Sequence, residues 1–491
     1  MSTAQTLIES NELFIGGEWV RPRGSERITV VSASTEEEIG SVPAGSYADI
    51  DSAVDSARTA FDDAQGWRYW SAEARAAAIE RLGAAHVARG DEIARRVSMQ
   101  NGMPIAISTQ LEAALPNVLS QYYADLIVNT QFRELRDGLL GGKIEVRKNP
   151  IGVVGAIIPW NFPQALAFFK LAPLLAAGCT AILKPSPETV LDSLELAEAV
   201  KEAGIPPGVV NIVPADRDVS AYLVEHPGVD KVAFTGSTAA GRTIAEACGR
   251  LLRPVTLELG GKSAAIVLDD ADLSSSIENL FAATLLNNGQ TCFLGTRVLA
   301  PEKRYDEVLS TFGDLANALQ VGDALDHTTQ IGPMASKRQQ ERVEGYIAKG
   351  KAEGARVVAG GRPTRHDRGW FVEPTVFGDV DNSATIAREE IFGPVLSVIP
   401  YDTVDDALAI ANDSEYGLGG SVWTSDPTRG AEVARRVQTG SIGINHFMID
   451  PAAPFGGVKQ SGIGRELGPE GLEAYLDTTS IFVEAGPTTA S

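Results

Sequence analysis

GVVGAII (152–158), TAILK (180–184), VVNIV (209–213), DKVAFTG (230–236) and PVTLELG (254–260) are five short apolar runs separated by segments of helical pattern. One separator, VLDSLELAEAVKEAG (190–204), carries acidic residues early, a lysine late and a terminal glycine. That order suits the helix dipole and a helix stop. Strands alternating with helices predict a parallel sheet in a doubly wound α/β unit, where ligands gather at the strands' carboxyl ends.

Outward from these runs, the stretch ALAFFKLAPLLAAGCTAIL (165–183) approaches the length of a membrane span. Lys170, Pro173 and Gly178 interrupt it, so the expectation is a buried helix, a glycine stop and a buried strand. The alternation resumes with SAAIVLD (263–269), a helix over roughly 272–287, a loop holding Cys292, and RVLAP (297–301), which reads as a second α/β unit. Residues 51–130 are Ala-rich, charged and helical in period. IEVRKNP (144–150) and TTSIFVE (478–484) look like strands outside either unit, suited to pairing between subunits or to sheet edges.

With 491 residues and 44% hydrophobic content, the chain can bury two to four domain cores. Its 42 basic and 64 acidic residues give a net charge of −22. Nucleic acid and anionic membranes are therefore poor partners. The N-terminal MSTAQTLIESNELFIGGEWV lacks the basic and apolar regions of a signal peptide and the arginines of a transit peptide. Three cysteines give no even disulfide framework, which fits a reducing compartment. A cytoplasmic protein is expected, and no metal site is read.

Four features carry chemistry. Cys179 and Cys248 lie in apolar or helical contexts and read as filler, the commoner fate of a free cysteine. Cys292 instead follows the polar NNGQT on a loop between α/β elements, where reactive groups concentrate. A thiol attack there needs a lowered pKa or a base. The five histidines form no cysteine–histidine signature. Glu258 ends a predicted buried strand before two glycines; unpaired, it would be a raised carboxyl suited to general base work, although taken alone a salt-bridged strand end is the commoner reading. In PWNFP (159–163), Asn161 at the tip of a proline-fixed turn can offer an amide N–H to an oxyanion, or simply cap a helix. FTGSTAAG (234–241) ends a strand and opens a helix whose N–H groups can receive a phosphate.

Together, PWNFP, KPSPET (184–189), FTGST, LELGGKS, NNGQTC, EEIFGP (389–394) and PFGGVKQSGIGRE (454–466) occur in the order and approximate spacing of the NAD(P)-dependent aldehyde dehydrogenase superfamily, which the chain resembles over nearly its whole length. The chain looks closest to a bacterial branch acting on hydrophobic aldehydes such as terpenals. The resemblance implies a Rossmann-like doubly wound cofactor domain from 1–127 and 151–260. It further implies an α/β catalytic domain over 261–456 and a small β oligomerisation element from 128–150 and 457–491.

By similarity, Cys292 attacks the aldehyde to give a thiohemiacetal, with Asn161 and the Cys292 N–H holding the oxyanion. Hydride loss then leaves a thioester, which water activated by Glu258 hydrolyses, while Lys170 and Glu466 match positions that relay the proton outward. On the cofactor side, Lys184 matches an adenosine-ribose contact and Ser237, next to Gly236, a pyrophosphate contact. Glu390 and Phe392 match contacts to the nicotinamide ribose and ring, and Ile157, Pro159 and Trp160 line the same cleft. Pro187 stands where many NAD-specific members have a ribose-binding glutamate; Glu188 follows one residue later, and Arg217 could attract a 2′-phosphate. NAD is favoured and NADP admitted.

The presence of Glu258 speaks against the CoA-acylating branch. Phe162, Ala165, Leu166, Phe169, Phe293, Phe447, Met448, Ile449 and Phe455 match the family's aldehyde tunnel. They carry neither an arginine for a carboxylate nor a Trp-rich cage for a quaternary ammonium, so an aliphatic, aromatic or terpenoid aldehyde is expected. The assembly implied is a homodimer or homotetramer. The alternatives are an inactive binding member of the fold, a semialdehyde dehydrogenase, or a cofactor-independent thiol esterase.

Overall fold

The structure, a computed structural model, describes residues 7–483; residues 1–6 and 484–491, the outer ends of two expected spans, lie outside the described residues. The five apolar runs form β1 (Val153–Ile157), β2 (Thr180–Lys184), β3 (Val210–Ile212), β4 (Lys231–Thr235) and β5 (Val255–Glu258). They lie parallel in the order β5-β4-β1-β2-β3. Antiparallel strands extend the sheet, Gly462–Ile463 beyond β5 and Leu13–Ile15 with Glu18–Val20 beyond β3. Every residue of β1, β2 and β4 is buried, as a parallel sheet covered on both faces requires.

The chain runs from β1 outward to β2 and β3, then crosses back to lay β4 on the other side of β1. The β1/β4 gap is therefore the topological switch point, where open α/β sheets hold ligands. Helix α1 (Pro163–Ala177) leaves β1 and helix α2 (Thr238–Leu251) leaves β4, so both helices start at this gap. Helix α1 is buried along its whole length and stops at Gly178, which accounts for the apolar stretch 165–183. Among the described residues no helix is long and apolar enough to cross a membrane.

The second sheet has seven strands in the order Arg356–Ala359, Thr375–Gly378, Val395–Tyr401, Arg297–Pro301, Ala264–Val267, Gly420–Trp423 and Gly443–Ile444. All pairings are parallel except the first. The helix expected over 272–287 is shorter, spanning Ile277–Thr284. Ahead of it, Asp272 takes hydrogen bonds from Ser274, Ser275 and Ser276, holding them in a tight turn. Behind it, Asn287 and Asn288 adopt positive φ (52° and 60°) and break the helix before Cys292.

Arg133–Asp137, Lys143–Pro150 and Leu476–Val483 form a separate antiparallel sheet, so the two outlying segments pair with each other within one chain. The earlier part of the C-terminal span returns to the first sheet: Gly462–Ile463 pairs with β5, and Gly468–Glu473 packs on α1.

Arg297, buried at the start of its strand, ties the second sheet together. Its guanidinium donates to the Lys262, Ile410 and Ala411 carbonyls and to Asn382 Oδ1 at 2.8–2.9 Å. Ile410 and Ala411 end the helix Val404–Asn412, so a cation here also meets the negative end of its dipole. Replacing Arg297 with Met strands three buried carbonyls, at about 1–3 kcal/mol each. Arg297→Met is expected to lower the thermal unfolding midpoint by several degrees, and Arg297→Lys to restore little of it, because a point charge cannot reproduce the planar fork. A lysine variant as stable as the parent in a thermal melt would contradict this account.

Candidate active site

At the β1/β4 gap lies a cleft of about 480 Å³ lined by Pro159, Trp160, Asn161, Thr235, Gly236, Ser237, Leu259, Gly260, Cys292, Arg338, Gln339, Arg342, Glu390 and Phe392. Pro159 to Asn161 follow β1, Gly236 and Ser237 follow β4, Leu259 and Gly260 follow β5, and Cys292 comes from the loop that leads into the strand Arg297–Pro301 of the second sheet. The switch point therefore opens directly onto the thiol.

The turn after β1 is stitched to the cysteine loop by two bonds of opposite sense. Asn161 Nδ2 donates to the Gln290 carbonyl at 3.0 Å, and Asn287 Nδ2 donates to the Asn161 carbonyl at 3.0 Å. The glycine pair after β5 lets this loop approach. A Cβ on Gly261 would stand 2.3 Å from the Cys292 carbonyl oxygen, and one on Gly260 2.7 Å from Glu390 Oε2. Neither position tolerates a side chain without displacing its neighbour. Gly261 N–H donates to Glu390 Oε1 at 2.9 Å, fixing that carboxylate over the cleft.

Glu258 is buried at the end of β5, and neither of its carboxyl oxygens has a hydrogen-bond partner. Burial holds its carboxyl well above the usual range; the Glu466 carboxylate adds to this, and Lys170 and Arg465 oppose it. Beneath it, fully buried Lys170 on α1 donates to Glu466 Oε1 and to Thr235 Oγ1, each at 2.6 Å. Cys292 is half-buried, and burial pushes its thiol up, with the Glu390 and Glu258 carboxylates adding to the effect.

Beside Cys292 the chain is aromatic. Phe293 meets Phe447 edge-on at 5.0 Å and Phe455 at 6.3 Å, and Phe169 meets Phe455 at 6.4 Å. Phe162 and Leu166 belong to the same buried cluster, with Ile449 packed against it. None of these side chains lines the cleft that opens on Cys292. Met448, expected among them, is 49% exposed and outside the cluster.

On the opposite side, Ser237 caps α2 by accepting from the Ala240 N–H at 3.3 Å, which leaves the start of a 14-residue helix facing the switch point. A dinucleotide's phosphates fit such an end, through its free N–H groups and dipole. Trp160 and Phe392 meet edge-on at 5.4 Å across the cleft. Ile157 and Lys184, paired across β1 and β2, lie outside the cleft lining. Burial brings the Lys184 amine down to about 8, opposed by Glu188 and Asp216. Glu188 accepts from Ser186 Oγ at 2.6 Å. Arg217 begins the helix Arg217–Glu225 and is exposed.

Several lining residues carried no sequence signal. Gln339 and Arg342 lie one turn apart on the charged helix Lys337–Ala352. Gln339 donates to the Phe392 carbonyl at 2.7 Å and Arg342 to the Ile391 carbonyl at 3.3 Å, holding Phe392 at a φ of 63°. Lys262 is buried with no partner for its amine, which burial and nearby Arg297 bring down to about 7.

A doubly wound crevice with a phosphate-suited helix start on one side and a thiol on the other defines an oxidoreductase site for carbonyl chemistry. The family profile described as "Aldehyde dehydrogenase family" matches residues 19–481, and the chain belongs to that family. It is 56% identical to the geranial dehydrogenase of Castellaniella defragrans over 97% of this chain and 99% of that one. It is 41% identical to a 3-succinoylsemialdehyde-pyridine dehydrogenase of a Pseudomonas species, covering 96% of this chain and 98% of that one. Among solved structures, a Mycobacterium tuberculosis aldehyde dehydrogenase complexed with NAD+ superposes with a TM-score of 0.96 at 45% identity, over 99% of this chain and 100% of the other. A mutant aldehyde dehydrogenase from Pseudomonas syringae, complexed with NAD+ and octanal, gives 0.92 at 40% identity over 96% of both chains.

Because its thiol is raised, alkylation of Cys292 by iodoacetamide in the cofactor-free protein is expected to keep climbing with pH past about 8.5, where an ordinary thiol begins to level off. A plateau near neutrality would show a depressed thiol instead. Gly261→Ala is expected to leave a folded protein by circular dichroism whose Cys292 alkylation rate is altered, since the new Cβ must displace the loop.

Proposed function

We propose that the protein oxidises a hydrophobic aldehyde to its carboxylic acid with NAD, through covalent capture on Cys292. The observation that carries the reading is the convergence of the Cys292 loop, the Asn161 turn and unpartnered Glu258 at the switch point. Bound in the cleft, the nicotinamide supplies the hydride acceptor. Pro159, Trp160, Gly236, Ser237, Glu390 and Phe392 would hold the cofactor around it, with Ile157 and Lys184 behind them. Pro187 stands where many NAD-specific members have a ribose-binding glutamate, and Glu188 is held by the Ser186 hydroxyl, so NAD is favoured and NADP admitted.

In this reading the Cys292 thiolate adds to the aldehyde carbon, and the oxyanion is held by Asn161 Nδ2 and the Cys292 N–H. Collapse of that adduct with hydride loss leaves a thioester on Cys292. Glu258, with no partner to satisfy it, takes a proton from water as the water attacks the thioester. The proton then passes toward Glu466 and Lys170. Covalent capture divides the oxidation into hydride loss and hydrolysis, each with its own preorganised group. Because burial and the Glu390 and Glu258 carboxylates hold the proton on the Cys292 thiol, attack requires that this proton be removed first, and drying the site alone would hold it more tightly.

The substrate class follows from the aromatic cluster of Phe169, Phe293, Phe447 and Phe455, which offers no charged group to a substrate, and from the 56% identity to a geranial dehydrogenase. Aliphatic, aromatic and terpenoid aldehydes fit it best. The proposed domains are a cofactor domain of 1–127 and 151–260, a catalytic domain of 261–456, and a bridging element of 128–150 and 457–491. The exposed sheet formed by 133–150 and 476–483 suits a homodimer or homotetramer interface. Three free cysteines suit the cytoplasm.

A panel of geranial, octanal, benzaldehyde, succinate semialdehyde and betaine aldehyde, run with NAD and NADP in parallel, is expected to favour the first three in kcat/KM. Preference for a charged aldehyde would overturn the substrate class, and silence throughout would favour a binding protein. Glu258→Gln is expected to retain a burst of NADH while steady turnover falls by about a hundredfold or more. In the parent, steady turnover falls as pH drops through the raised Glu258 pKa, because only the ionised carboxylate accepts a proton. Loss of that limb in the glutamine variant ties it to Glu258.

A further inference from the structure

The helix α1 begins without a cap of its own. Its N-cap position is Phe162, which offers no oxygen, and Pro163 supplies no N–H. The start of α1 is buried, so water cannot satisfy the next free donors. They are met from another part of the chain. Glu112 Oε2 accepts the Gln164 N–H at 2.7 Å, and the Ala165 N–H is also turned to this carboxylate.

Glu112 reaches this point because it sits in a π-helical turn, Thr109–Ala114, between the helices Ile105–Ser108 and Leu115–Val128. Thr109 and Gln110 in the same turn are exposed, whereas Glu112 is fully buried. Such single wide turns inside helices occur frequently at functional sites. The Gln164 side chain is locked as well, by Asp192 Oδ2 at 2.5 Å and by His86 Nε2 at 3.1 Å. Asn161 stands three residues upstream of this fixed point. Its backbone is held from the other side by Asn101 Nδ2, which donates to the Trp160 carbonyl at 3.0 Å, and by Asn287.

We propose that Glu112 is a positioning residue for the oxyanion donor Asn161, an inference that rests on the role given to Asn161 above. By capping α1 from outside, Glu112 fixes the start of the helix while leaving Phe162 free to join the aromatic cluster. The Asn161 amide is then set between this anchor and its bond to Gln290. Burial and nearby Asp192 push the Glu112 carboxyl well up, so a neutral acceptor oxygen is sufficient for the role.

The test separates carbonyl chemistry at Cys292 from the thiol's own reactivity. Acylation by p-nitrophenyl acetate, read as p-nitrophenolate release without cofactor, builds an oxyanion; alkylation by iodoacetamide does not. Glu112→Ala is expected to slow acylation by about ten- to a hundredfold with alkylation changed less than about twofold. Glu112→Gln, which keeps the acceptor, is expected to restore most of the rate. In an Asn161→Ala background, Glu112→Ala is expected to cost nothing more. Equal losses in both reactions, an additive loss in that background, or no loss would each overturn the proposal. If Glu112→Ala does not fold, Glu112→Asp, which withdraws the carboxylate by one methylene, carries the same expectations and the same refutations. If Asn161→Ala alone leaves acylation unchanged, the oxyanion assignment fails, independently of Glu112.

Discussion

The fully buried pair of Lys170 and Glu466 joins three parts of the chain. Lys170 rides on α1, Glu466 comes from the C-terminal segment, and their shared neighbour Thr235 ends β4. Removing two charges from water is costly, and a buried pair repays that cost only where its geometry is good and further hydrogen bonds complete it. Here the bond to Thr235 supplies part of that completion. Breaking such a pair by losing one partner typically costs about 3–5 kcal/mol. The pair therefore fixes how the C-terminal segment returns, through Gly462–Ile463 on β5 and the backbone exchange between Phe455 and Glu466. That return carries Phe455 to the aromatic cluster and brings the Glu466 charge close to Glu258. Both consequences bear on the cleft.

Glu258 feels this arrangement most. Its own carboxyl has no partner, the Glu466 charge works against its ionisation, and Lys170 works for it. A carboxylate left unsatisfied inside a protein is a liability to stability unless the site needs it. The same burial that raises its proton affinity is what a base for water attack requires. The thiol of Cys292 is raised by the same two causes, low dielectric and surrounding carboxylates. Cys292 and Glu258 are thus both held toward their protonated forms, each by burial and by neighbouring carboxylates.

Much of the fold was legible because burial on both faces writes a strand as a continuous apolar run, and all five runs between 152 and 260 are strands of one sheet. The apolar stretch from 165 to 183 was legible for the same reason, once Lys170, Pro173 and Gly178 were weighed. The helix over 272–287 read too long, because local side-chain bonding at Asp272 and the left-handed asparagines at 287 and 288 leave no mark on hydrophobic period. At the site, Cys292, Glu258 and Asn161 stood out through motif order, not through their own chemistry. Glu112 in TQLEAAL reads as a solvated helix residue, and Gln339 and Arg342 lie on a helix that is charged all round. Their importance comes from contacts spanning tens of residues, which no local pattern encodes. Met448 shows the converse: an apolar residue between two residues of the cluster is exposed, on a segment without regular structure whose period no pattern sets.

The cleft and the aromatic cluster beside it are built by different rules, and the Cys292–Phe293 turn joins them. Around the cleft, backbone groups are prominent beside Trp160 and Glu390: the start of α2, the glycines after β5, and carbonyls gripped by Gln339 and Arg342. Such groups have fixed dipoles and little freedom, which suits a polar ligand that must be held in one pose. The cluster uses aromatic side chains packed edge to face, which exclude water and impose shape while offering no specific hydrogen bond. Cys292 and Phe293 are adjacent in a turn, and Cys292 lines the cleft while Phe293 packs into the aromatic cluster. An aldehyde drawn into the dry side would meet the polar side only at its carbonyl. Selectivity in such an arrangement rests on the aromatic walls and rate on the backbone-built polar groups, so the substrate range can change without disturbing the chemistry.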